Sequence, residues 1–279
     1  MKSPQIDWNE VWKCKYDRVK SQYPKKKKNF WDSKENALEY LKESKKHTEE
    51  TEQIIQFLPL SPELRVLEIG SGPGNMAIPI SKHVAHVNAI EPGKGMMEVL
   101  REQISEHGAT NMTAVQKRWE DVDIARDLDG QYDLVIASHG LGISDMQAAI
   151  KKMCAASRKW VYLYDGAGIS TWEQRMIDLW PALHGREYYQ GPRADVLYNL
   201  LYNMGIYPNV KSEPRDTIRI YPDLDTVISK FRESFQVSTP EQERIMRDYL
   251  KEIFKKTENG YFDRIKWNTV TFWWDISGN

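Results

Sequence analysis

From residue 65 to about 166, short apolar runs alternate with segments whose apolar residues recur at helical spacing. RVLEIG (65–70), HVNAIE (86–91), MTAVQK (112–117), YDLVIAS (132–138) and KWVYLYDG (159–166) read as strands. NMAIPISKHV (75–84), GKGMMEVLREQISEHG (93–108) and DMQAAIKKMCAAS (145–157) read as the helices between them. Such alternation predicts an α/β fold, a doubly wound, mainly parallel sheet with helices on both faces. The flanks are different. Residues 35–58 read as one helix, although 42–53 has almost no apolar face, and LPLSPELR (58–65) is a turn. TWEQRMIDLWPALHGREYYQ (171–190) is aromatic and partly helical. Residues 191–205 form a helix bracketed by Pro192 and Gly205. Pro214 marks the strand over 209–221 as an edge or a bulge. Residues 238–254 begin with helix-start chemistry, Ser238 or Thr239 as cap and Pro240 in the first turn. KWNTVTFWWDI (266–276) reads as a closing strand. The predicted organisation is a helical N-terminal lid (1–60), a core (61–170), a helical insertion with an added strand (171–260) and a closing core strand (261–279).

Composition narrows the choice of partners. The chain has 279 residues, 41% hydrophobic and 28% charged, with a net charge of −1. That balance suits a globular domain and offers no electrostatic case for nucleic acid or a membrane surface. Cys14 and Cys154 have no partner at metal-ligand spacing and make no disulfide framework. No apolar stretch approaches the roughly 20 residues that span a bilayer, and the N-terminus shows no apolar leader. A reducing, cytoplasmic setting is the expectation.

The chemistry gathers after the first strand, in VLEIGSGPGNMAIPI (66–80). Glycines at the carboxyl end of a parallel strand let the backbone approach a ligand closely. A dinucleotide loop would read G-x-G-x-x-G, which places Asn75 where the last glycine belongs. The spacing is instead Gly70, Gly72, Gly74, with Glu68 two residues ahead. A carboxylate there suits a ligand with a positive end and repels a pyrophosphate. Glu91 closes the second strand, where a carboxylate can accept from both hydroxyls of a ribose. The loop therefore favours a nucleoside with a cationic, amino-acid-like tail.

With the acid, the three glycines and the second acid in register, residues 64–166 resemble the class I S-adenosylmethionine-dependent methyltransferases. The resemblance implies that fold, S-adenosyl-L-methionine as cofactor, and methyl transfer. IEPGKGMMEVL (90–100) resembles the family's second motif, so Pro92 and Met96 would flank the adenine. VQKRWEDVD (115–123) resembles the segment that meets the adenine amino group, which falls to Trp119 and Glu120. DLVIASHGL (133–141) resembles the fourth strand, whose end, at Ser138, faces the reactive methyl. FWDSKENALEY (30–40) resembles a lid helix, with Trp31 covering the cofactor. The Asp/Asn-Pro-Pro-aromatic ending of base-modifying relatives is absent, SHGL standing in its place, which argues against attack on a flipped base.

His139, directly after the fourth strand, is the candidate general base, with His184 as a second candidate, since the ordinary pKa of a histidine lies near neutrality. The acceptor pocket is expected from the aromatic flanks: Trp8, Trp12, Phe30 and Trp31 before the core, and Trp172, Trp180, His184, Tyr188 and Tyr189 after it. The plainer role for most of these rings is core packing. Aromatic walls imply a small, partly apolar acceptor. The KKKK run (25–28) keeps an RNA or protein methyltransferase open, and a cofactor-binding protein with a non-methylating outcome also stays open.

Overall fold

The structure, a computed structural model, describes residues 6–23, 30–45, 48–138 and 142–276; the lysine run 25–28 and His139 lie outside the described residues. The N-terminal segment supplies α1 (Trp8–Gln22), α2 (Lys34–Ser44) and α3 (Thr48–Phe57). The core follows as β1 (Arg65–Ile69), α4 (Ala77–Ser81), β2 (His86–Ile90), α5 (Lys94–Glu106), β3 (Met112–Val115), α6 (Ile124–Asp127), β4 (Tyr132–Ser138), α7 (Met146–Ala156) and β5 (Ser157–Ala167). The remainder is α8 (Thr171–His184), α9 (Ala194–Asn203), β6 (Asn209–Tyr221), α10 (Leu224–Ser234), α11 (Pro240–Ile253), β7 (Lys255–Thr257) and β8 (Gly260–Asp275).

The sheet order is β3-β2-β1-β4-β5-β8-β6, with β7 paired to the start of β8. β1 to β5 run parallel, and β8 runs antiparallel to both β5 and β6. Central parallel strands are apolar on both faces because helices cover both. Val66, Leu67 and Ile69 of β1 are all buried, each side chain contributing about 1.5–3 kcal/mol. One face packs under α7 and α9, with Trp12 of α1 driven into the same cluster. The other packs under α4 and α5, joined by Ile54, Ile55 and Phe57 of α3. Chain direction across the sheet reverses between β1 and β4, which leaves a crevice at their carboxyl ends.

β6 and β8 outrun the sheet. β5 ends at Ala167 opposite Asn268, while the β6–β8 ladder continues from Arg215↔Trp267 to Tyr221↔Tyr261, about 20 Å further. α8, α10 and α11 wrap this overhang around Trp180, Phe231, Phe235 and Leu250. A buried ion pair between Arg175 and Asp263 ties α8 to β8, the guanidinium resting 5.0 Å from the Phe254 ring centre. The paired charges satisfy one another where neither could be buried alone.

Several elements depart from the sequence reading. The single helix expected over 35–58 is two, α2 and α3, as its weak apolar middle allows. The helix expected over 75–84 is reduced to Ala77–Ser81 around Pro79, which lacks an N–H to continue the ladder. Leu224–Ser234 is a helix that the sequence reading passed over, although Asp223 caps it and Val227, Ile228 and Phe231 form its buried stripe. The flanks also divide differently. α1 and α9 pack on the core, β6 extends the core sheet as its edge strand, and β8 begins at Gly260.

Candidate active site

The glycine loop is pinned to the end of β2. The Gly70 and Ser71 N–H groups both donate to the Ile90 carbonyl, at 2.8 and 3.0 Å. Glu91 follows at once, and its Oε2 accepts from Gly72 N at 2.8 Å while Oε1 accepts from Gly93 N at 2.7 Å. One carboxylate thus fastens the loop to the turn that starts α5. Gly72 has φ +54°, and a Cβ there would meet nothing within 4 Å, so open space lies above it. Gly74 does something else: a Cβ would fall 2.7 Å from Leu100 Cδ1, so this glycine seats the loop against α5.

Beneath the loop two acids share a low-dielectric setting. Glu68 is 2% exposed, and its Oε2 has no hydrogen-bond partner. Burial first, and then the charge of Glu91, push its carboxyl up to about 8. Burial also raises Glu91, against the lowering effect of the Gly93 and Gly72 N–H groups. A buried polar atom left without a partner is unusual enough to point to a missing one. A ligand with positive charge close to this pair would relieve both carboxylates.

Above the loop opens a cleft of about 310 Å³ at the β1/β4 crevice. It brings together Trp31, Gly70, Gly72, Glu91, Pro92, Met96, Trp119, Glu120 and Ser138 from five separate stretches of chain. Trp119 is buried, its Nε1 donating to the Ala149 carbonyl at 3.2 Å. Lys152 holds the same turn by donating to the carbonyls of Trp119, Glu120 and Val122, at 3.0, 2.8 and 2.9 Å. Trp31 and Tyr40 stand at the rim, 38% and 43% exposed, with rings edge-to-face at 5.4 Å. Their segment is held on α5, where Lys94 N donates to Asp32 Oδ1 at 3.0 Å and Lys34 pairs with Glu98 and Glu102.

Sequence reasoning missed Tyr40, Arg118, Gly142 and Ile143, which also line the cleft. Arg118 adjoins Trp119 and was within reach of the motif. Gly142 and Ile143 were not, because α1 positions them from far away in sequence. Trp12 Nε1 donates to the Ile143 carbonyl at 2.8 Å and the Tyr16 hydroxyl to the Gly142 carbonyl at 3.0 Å. Asn9 donates to Asp145 Oδ1 and accepts from Gln147 N, at 3.1 and 3.0 Å. The tryptophan expected in an acceptor pocket is instead a buried strut for the loop after β4.

Glu68 and Gly74 lie under the cleft, not on its surface. The proposed acceptor residues lie elsewhere. A ring N–H of His184 bonds the Phe235 carbonyl at 2.9 Å, and its ring lies 4.3 Å from that of Trp180 inside the overhang cluster. Tyr188 packs on the same tryptophan at 5.3 Å. Tyr189 is held by its backbone, accepting from Gln22 Nε2 and donating to Gln22 Oε1, both at 2.8 Å. The segments 8–23 and 171–190 therefore meet, through Gln22 with Tyr189 and Tyr23 with Trp180, but their rings do not line the cleft.

Comparison with known proteins bears on this arrangement. Residues 66–159 match a family model described as a methyltransferase domain. An uncharacterized protein of Haemophilus influenzae is 30% identical over 161 residues, 57% of this chain and 57% of that one. A mitochondrial ribosomal RNA small subunit methyltransferase of Arabidopsis thaliana is 34% identical over 94 residues, 33% of this chain and 23% of that one. The chain thus spans about half or less of the length of these curated relatives. Among solved structures, a putative methyltransferase of Bacillus halodurans superposes with a TM-score of 0.57 at 12% identity, covering 81% of this chain and 98% of that one. The likeness shows a shared fold. Among the described residues, no helix is long and apolar enough to cross a membrane.

Proposed function

Taking as premise that this chain belongs to the class I S-adenosylmethionine-dependent methyltransferases, we propose that it methylates a small, partly apolar molecule. The observation that carries the reading is the cleft at the β1/β4 crevice, a positive-φ glycine loop stapled by Glu91 over the orphaned carboxylate of Glu68. Both features suit a nucleoside with a cationic tail. When bound, S-adenosylmethionine supplies the activated methyl group.

The chain's residues divide the remaining work. Glu91 accepts from the ribose hydroxyls with the lone pairs that its two backbone bonds leave free. Met96, Pro92 and Trp119 enclose the adenine, with Glu120 at its edge, and Ser138 borders the methyl. Trp31, with Tyr40 beside it, shields the site from water, as lids do once a ligand is seated. His139 takes the acceptor's proton where the acceptor carries one. The ribosomal RNA methyltransferase matches only a third of this chain, too little to carry its acceptor over.

Titration calorimetry should show S-adenosylhomocysteine binding, with a raised Tm, and no binding of NAD. NAD binding without S-adenosylhomocysteine binding would overturn the reading. Turnover is then sought in metabolite fractions as S-adenosylhomocysteine release with a product heavier by one CH2. His139→Ala should lower that turnover roughly 10²-fold while cofactor affinity stays nearly constant; normal turnover removes the base.

A further inference from the structure

A second and larger cavity, about 940 Å³, opens beyond the carboxyl end of β5, walled by α3, residues 166–170 and the overhanging β6–β8 ladder. Its wall combines Ala167, Pro214, Ile265 and Trp267 with three guanidinium groups, those of Arg193, Arg215 and Arg219. The two carboxylates of its lining are Glu49, which is exposed, and Asp216, which is engaged by Arg264. Arg193 pairs with Glu173, and Arg215 donates to Gln53 and Glu213, yet single donor atoms here stay unpartnered. Arg193 and Arg215 each keep a buried Nε without a hydrogen-bond acceptor, and so does the hydroxyl of Tyr164. Glu213, the carboxylate beside Arg215 at 3.3 Å, is shared with Lys211 at 3.1 Å. Burial lowers the pKa of Arg193, against the raising charges of Asp165 and Asp195, and its guanidinium also pairs with Glu173.

The cavity and the cofactor cleft share no lining residue but lie along neighbouring strands. Ser138, on that cleft, pairs across the sheet with Tyr164. Tyr164 lines a small pocket with Gln53 and Arg215, and both of those residues also line the large cavity. From Ser138 to Ala167 is one strand spacing and three residues of strand, about 10 Å, which a small molecule can span.

We propose that this cavity holds the methyl acceptor by an oxyanion, a carboxylate or a phosphate, on Arg193 and Arg215, with its apolar body against Trp267 and Ile265. The inference rests on the methyltransferase reading and specifies its substrate as an apolar small molecule bearing an anionic group. Guanidinium forks bind such oxyanions through paired N–H groups, and the buried donors acquire the acceptors they lack.

The test titrates benzoate, phenyl phosphate and, as the neutral control, benzyl alcohol into the full chain saturated with S-adenosylhomocysteine. At least one anion should bind, and benzyl alcohol should bind at least about tenfold more weakly, the size of one charged hydrogen bond. Arg193→Gln and Arg215→Gln should each weaken that anion by at least about tenfold and leave S-adenosylhomocysteine affinity within about twofold. Arg193→Gln strands the buried Glu173 that pairs with it and is the variant at risk of not folding. Arg215→Gln then decides, because Glu213 retains Lys211. Binding of neither anion to the loaded protein overturns the proposal, as does anion affinity unchanged in Arg215→Gln. So does an RNA hairpin that binds through Arg215 when neither anion does. If S-adenosylhomocysteine itself does not bind, the methyltransferase reading fails as well; if it binds and the anions do not, this inference alone falls.

Discussion

Glu68 makes the unliganded protein sensitive to pH. Its carboxyl, ordinarily near 4.5, sits at about 8 in the folded chain, chiefly through burial. For an acid whose folded pKa is raised, the stabilising contribution is complete below the unfolded value and is lost as pH climbs to the folded one. Between about pH 4.5 and 8 the unfolded chain has released a proton that the folded chain still holds. Each pH unit in that window costs folding about 1.4 kcal/mol, so the ceiling at pH 8 is on the order of 5 kcal/mol. Because Glu68 is 2% exposed, solvent screening takes little from this figure. Glu68→Gln matches the protonated form in shape and removes the titration. Urea unfolding of the two proteins should give stabilities within about 1 kcal/mol at pH 5, with the glutamine variant ahead by several kcal/mol at pH 8. A difference that does not vary with pH would refute the buried, protonated carboxyl. A cationic ligand should draw the pKa down and release a proton on binding. S-adenosylhomocysteine titrated at pH 7 in buffers of different ionisation enthalpy should show that proton for the wild type and not for Glu68→Gln.

Glu91→Ala removes an ionised acceptor from the Gly72 and Gly93 N–H groups, bonds of about 1.5–3 kcal/mol each, with water at the cleft replacing part of the loss. Calorimetry should show S-adenosylhomocysteine binding about ten- to a hundredfold more weakly, and full affinity in a folded variant would refute the staple. Glu91→Gln should fall between, since its one remaining oxygen leaves an N–H facing an NH2 group. Gly95→Ala would place a Cβ 2.4 Å from the backbone carbonyl of Ser33, where α2 meets α5. Overpacking of that kind costs about 1–3 kcal/mol, so Tm should fall by several degrees and the Trp31–Tyr40 rim should loosen, weakening cofactor binding. An unchanged Tm would mean that α2 does not close on α5 in solution.

The reach of the sequence followed the range of the interactions concerned. Strand and helix order from 65 to 167 was legible because burial on both faces writes an apolar run into each central strand. The lining of the cleft was legible for a related reason. Gly70, Gly72 and Glu91 act through local backbone at strand ends, so their spacing in the chain carries their geometry. The acceptor side depended on contacts between distant segments. No local pattern tells that Trp12 buttresses Ile143, or that His184 and Tyr188 turn into a cluster built by α10 and α11. Nor does spacing distinguish Gly74, which packs on Leu100, from Gly72, which faces open space. The cavity with Arg193 and Arg215 exists because β6 and β8 pair beyond the end of β5. How far a ladder extends is set by the register of two strands, so only the assembled fold brings those guanidinium groups together.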